Sequence, residues 1–146
     1  MKKLLYILLF VPVALFGQTV EDFSLNFPNP EATGFVNFTE GTLTEFAGGL
    51  IMPYIEDVPV GPAQLIYSDG FTVVSAFGCN YCNYLASNGD ELQFVILHNS
   101  ETIVIADIDT QVTFFYDMFE MIFSEMISFH LLDGSPVVFG CTDDSY

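Results

Sequence analysis

The sequence predicts a mainly β fold of α+β character: an antiparallel meander sheet or partly open barrel, with one C-terminal helix at about residues 111–127 packed on it. Three observations predict it. Short alternating runs of β-branched and aromatic residues recur from residue 34 onward. The dipeptides Asp69-Gly70 and Asn88-Gly89 stand between apolar runs, where glycine accepts the positive φ of a tight primed turn. In QVTFFYDMFEMIFSEMISF the hydrophobic period then lengthens to that of a helix.

The chain opens MKKLLYILLFVPVALFGQ. Two lysines precede an apolar run that Pro12 interrupts and that is too short to span a bilayer, for which about 20 apolar residues are needed. Residues 1–17 are therefore expected to be a signal peptide, like those of exported bacterial proteins, cleaved near Gly17 and Gln18. The expected destination is a bacterial periplasm, cell surface or secreted fraction. Residues 18–33, with Pro28 and Pro30, are expected as a loose N-terminal arm, and 34–146 as a single β-rich domain.

Within that domain Phe35–Thr39 and Leu43–Phe46 alternate around Glu40-Gly41, which predicts a hairpin. PYIEDVPVGP, residues 53–62, holds three prolines and reads as a loop. AQLIYSDGFTVVSAF, YLASNGDELQFVILH and Glu101–Ile108 predict about four antiparallel strands. The helix expected over about 111–127 takes Asp109 or Thr110 as N-cap. It places Val112, Phe115, Phe119, Ile122, Phe123 and Met126 on one stripe, and Thr113, Asp117, Glu120, Ser124 and Ser128 on the other. A last hairpin turns at Asp133 to Pro136.

Lys2 and Lys3 are the only lysine or arginine residues in a chain with 19 carboxylates. Removal of the leader leaves none. Nucleic-acid binding needs cationic side chains that displace counterions from phosphates, so it is excluded. Anionic membrane surfaces are disfavoured for the same reason, which leaves cations or an envelope protein as partner classes. With 51% apolar residues and 16 phenylalanines the chain has the material for a core, unlike an acidic disordered segment.

FGCNYCNYL, residues 77–85, spaces Cys79 and Cys82 three apart. Haem attachment requires histidine after the second cysteine, and position 83 is asparagine. A structural zinc site normally takes four cysteine or histidine ligands, and only two cysteines lie close in this sequence. A redox pair would open a helix, whereas these residues lead into an Asn-Gly turn. The expected chemistry is a disulfide from Cys141 to either Cys79 or Cys82, leaving one odd thiol.

Asp107 and Asp109 lie two apart on a predicted strand and so share a face. They are candidates for a calcium site or a carboxylate dyad, against the plainer reading of a solvated face near a helix start. Phe115, Phe119 and Phe123 are candidates for a hydrophobic ligand pocket, against the plainer reading of a core stripe. His98 and His130 read as half-buried strand residues. No Gly-x-Ser-x-Gly motif is present. The expected function is a non-enzymatic envelope or secreted module with a structural or binding role and no resident cofactor. The alternatives are calcium-dependent or hydrophobic-ligand binding, and a thiol-redox or carboxylate-based enzyme.

From about residue 65 to 140 the order of features resembles the META domain of small exported bacterial proteins. Phe71 to Phe77 stands as the strand, Gly78-Cys79-Asn80 as the Gly-Cys-Asn signature, and Tyr84 to Phe94 as the Asn-Gly hairpin. The predicted helix with Phe115 and Phe119 and the closing Phe129 to Phe139 hairpin follow. The stretch is also similar to lipocalin-like exported proteins with a comparable Cys-Asn step. ETIVIADID departs from the META pattern in lacking a second cysteine before the helix. The resemblance implies an antiparallel β domain with a helix and no settled enzymatic activity.

Overall fold

The computed structural model describes residues 19–27, 30–79 and 85–137. The fold is mainly β, built as two sheets facing each other across one core. The strands are β1 (Ala32–Phe38), β2 (Leu50–Ile55), β3 (Val58–Pro59), β4 (Gln64–Leu65), β5 (Thr72–Gly78), β6 (Glu91–His98), β7 (Thr102–Ile108), β8 (Val112–Thr113), β9 (Phe119–Ile122) and β10 (Ile127–Leu131). The smaller sheet has the order β5-β1-β9, and the larger runs β10-β7-β6-β2-β3 with β4 paired to β2 and β8 to β6. Neither closes into a barrel. Pairing is antiparallel except between β1 and β9, which run parallel.

Alternation on β5 shows why the sheets face each other. Thr72, Val74, Ala76 and Gly78 are buried and the residues between them half-buried, as period-2 side chains require. Val36 and Phe38 of β1, Val74 and Ala76 of β5, and Ile122 of β9 meet Ile51, Phe94, Ile96, Val104 and Ala106 of the larger sheet in one apolar core. Phe38 and Phe94 sit edge to face at its centre, with ring centroids 5.2 Å apart.

The larger sheet also buries its other face. Met52, Tyr54, Val95, Leu97, Ile103 and Ile105 cluster there under Phe23, with Phe27 packed alongside. Residues 19–27, within the segment expected as an arm, lie across this face. Their 3₁₀ turn, Val20–Ser24, carries a capping box in which Thr19 and Asp22 satisfy each other. Tyr54 donates from its hydroxyl to Asp22 at 2.6 Å. Burial first, and then the bond to Asp22, push the Tyr54 phenol above its ordinary value. Strands covered on both faces read as continuous apolar runs, which explains LIMPY in β2 and FVIL in β6.

The helix expected over 111–127 is not formed: β8, β9, the 3₁₀ turn Ser124–Met126 and the start of β10 occupy that range. Its β-branched and aromatic residues fit a pleated surface better than a helix, where their χ1 freedom is restricted. Asp117, at φ 63°, turns the chain between β8 and β9. The register also differs from the helical stripe, since Phe114, outside that stripe, is fully buried.

The four-strand meander forms only in part: β6 and β7 pair as consecutive antiparallel strands, while β5 crosses to the smaller sheet. The turn at Asp69-Gly70 forms, with Gly70 at φ 83°. Yet β4 before it joins the larger sheet and β5 after it joins the smaller. Leu43 leads into a 3₁₀ turn, Thr44–Phe46, where a second hairpin strand was expected. The segment expected as a loop over 53–62 instead continues β2 to Ile55 and returns as β3. Pro53 is tolerated because its carbonyl accepts from Val60 at 2.9 Å. Its ring nitrogen, on that same side, faces away from β6, so the missing N–H leaves no β6 acceptor without its ladder donor.

Candidate functional site

Two surface features gather polar or exposed apolar side chains. The first is an open groove of about 750 Å³ between the loop after β1 and the β10 hairpin. Thr42, Glu45, Asp107, Ser124, Ser128 and His130 supply its polar lining, and Phe129 and Val137 part of its apolar lining.

The β7–β10 register sets Ser128 opposite Asp107 and His130 opposite Ile105, so Asp107 and His130 meet diagonally on one face. Nδ1 of His130 donates to Asp107 Oδ2, which leaves Nε2 as the acceptor nitrogen of the neutral ring. Among the described residues no serine or threonine hydroxyl bonds to that nitrogen. The pair has the geometry of a base and its orienting carboxylate. A strand register is needed to see this pair, and the sequence does not supply one.

The second feature is the outer face of the smaller sheet. Register places Phe35 beside Phe119 and Asn37 beside Met121. Phe35 is 40% exposed, Phe119 60% and Met121 40%. Phe115 and Phe123, in the turns flanking β9, are 53% and 42% exposed. The three phenylalanines expected as a core stripe or ligand pocket therefore lie at the surface. On the same face the Asn37 amide oxygen is buried without a donor among the described residues, which costs about 1–3 kcal/mol.

β9 ends the smaller sheet, and among the described residues no strand pairs with its other side. Phe35 N–H donates to Met118 O, and Thr39 N–H to Ile122 O, both at 3.0 Å. Backbone groups alternate along a strand, so Met118, Glu120 and Ile122 turn theirs toward β1, and Phe119 and Met121 turn theirs outward. Glu120 shares the side-chain face of the buried Ile122 yet is exposed at this margin.

The remaining candidates are dispersed. Asp109 donates its backbone N–H to Met126 O at 2.7 Å, while the Asp107 carboxylate is engaged by His130. Among the described residues no three histidine, cysteine or acidic side chains are grouped so as to hold a metal ion. His98 packs edge to face on Phe46, with centroids 5.3 Å apart. Cys79 is buried just after β5, its N–H donating to Ala86 O at 3.0 Å. Cys82 and Cys141 lie outside the described residues, and so does the pairing expected for them. Among the described residues no helix is long and apolar enough to cross a membrane.

Fold and surface together define a two-sheet β protein with an apolar outer face on its smaller sheet and, among the described residues, an unpaired edge at β9. No protein-family profile, characterised protein or solved structure matches the chain.

Proposed function

We propose that the protein is an exported, non-enzymatic binding module that holds an apolar partner surface on the outer face of its smaller sheet. The observation that carries this reading is the exposure of Phe35, Phe119 and Met121 side by side. Apolar residues scattered singly on a surface need no explanation, whereas a contiguous patch marks an interaction site.

Export is inferred from the two lysines and the short apolar run of the leader. A disulfide from Cys141 to either Cys79 or Cys82 belongs to the same reading. The META-like order of motifs is compatible with a module of this kind.

Nile red, a neutral apolar dye, tests the surface. Its emission with the mature chain is expected to rise and saturate, and to fall by about half or more when Phe35→Ser and Phe119→Ser are combined. Equal emission from the double variant, with unchanged circular dichroism, would remove this face as the binding surface.

A further inference from the structure

The binding face adjoins an open strand edge, and the chemistry of that edge selects its occupant. We infer that β9 accepts an extended, basic segment of a partner protein, which adds as a fourth strand to the smaller sheet; this rests on the reading of its outer face as a binding surface. An edge strand with free N–H and C=O groups is a template for another chain. Phe119 and Met121 present those groups on the open side, while their side chains extend the apolar face over which alternate residues of the added strand would lie. Main-chain bonds supply affinity in such additions, and side chains at alternate positions supply specificity.

Charge decides between occupants. Glu120 stands between Phe119 and Met121 on the opposite side of the strand, exposed at the sheet margin. A second copy of this chain would bring Glu120 and other carboxylates against like charges, with no lysine or arginine after Lys3 to relieve them. Like charges facing each other across strands are destabilising, and opposite charges are favourable. An inward carboxylate on an edge strand is therefore a guard against self-pairing and, by the same token, a selector for lysine or arginine on the incoming strand. An anionic membrane is repelled by the same carboxylates.

The test uses the mature chain and a fluorescein-labelled peptide of about eight residues alternating valine and lysine, a length matched to an ordinary strand. Fluorescence anisotropy is read near physiological ionic strength. A peptide with glutamate at every lysine position is the control. The lysine peptide is expected to bind, and the glutamate peptide not to bind.

Two variants separate strand addition from attraction to the chain's overall charge, which both retain almost unchanged. Met121→Pro removes an outward N–H without touching a β1 bond, and is expected to weaken binding about tenfold. Glu120→Gln is expected to weaken it about threefold. Equal affinity of both variants and the parent overturns the proposal, because the peptide would then be held by bulk charge. Self-association of the parent in the same solutions overturns it as well. If both variants bind the lysine peptide like the parent while the Phe35→Ser and Phe119→Ser pair still loses Nile red, the face binds and strand addition is wrong. If that pair leaves the dye signal unchanged, the underlying reading fails first.

Discussion

Replacing Phe94 with alanine is expected to lower stability by about 3–5 kcal/mol, measured as a reduced midpoint of urea unfolding. Phe94 is fully buried on β6 and faces Phe38 edge to face. Its neighbours across the strands are Pro53 on one side and Ala106 on the other. Neither can move to fill the space, because each is held in a backbone ladder. Truncation therefore loses both the transfer term and the aromatic pair, the latter worth about 0.5–1.5 kcal/mol. For a domain whose whole stability is about 5–15 kcal/mol, such a loss leaves a large unfolded fraction. Phe94→Leu, which keeps most of the volume, is expected to cost no more than about 2 kcal/mol. A Phe94→Ala midpoint within error of the parent would show that the two sheets do not meet at this residue.

Replacing Gly61 with alanine is expected to be nearly as damaging, for the opposite reason. A Cβ at Gly61 would stand 2.1 Å from the carbonyl oxygen of Ser75 and 2.9 Å from Cγ of Pro53. The obstacle is backbone, so no rotamer change relieves it. To make room the segment after β3 must lift from β5, breaking the bond from Phe77 N–H to Val60 O at 2.7 Å. A cost of about 3 kcal/mol is expected, at the upper end for overpacking. Gly41→Ala is the control. Gly41 adopts φ 89° with nothing within 4 Å of the added carbon, so only the left-handed backbone penalty applies, about 1–2 kcal/mol. If thermal or urea unfolding ranks the two variants the other way round, the close approach of residue 61 to β5 is wrong.

The parts of the fold legible in the sequence are those set by local chemistry. Gly70, Gly89 and Gly134 adopt positive φ at the dipeptides read as turns. TVVSAFG and ETIVIADI hold the β5 and β7 strands. What could not be read is where each strand goes next. Nothing in Asp69-Gly70 says that β4 and β5 belong to different sheets, because that choice is made by burial across the core.

The stretch 111–127 failed for a related reason. Phenylalanines at 115, 119 and 123 recur at helical spacing, yet they are the exposed ones, and Phe114 and Ile122 are the buried ones. Apolar periodicity marks a core only when the apolar residues are inside, and a surface that leaves aromatics exposed inverts the signal. Pro53 misled in the opposite direction, since a proline whose nitrogen faces away from the ladder is compatible with a strand. The pairing of Asp107 with His130 was invisible because it depends on register between β7 and β10.

Amide hydrogen exchange followed by NMR on residues 19–146, with and without the valine–lysine peptide, bears most directly on the proposed binding surface. Glu120 and Ile122 turn their backbone groups toward β1, so their amides should exchange slowly in both samples. The amides of Phe119 and Met121, on the open side of β9, should exchange fast alone and slow down when the peptide is added. Protection of Phe119 and Met121 equal to that of Glu120 and Ile122 in the chain alone would show the edge already covered. It would contradict strand addition at β9.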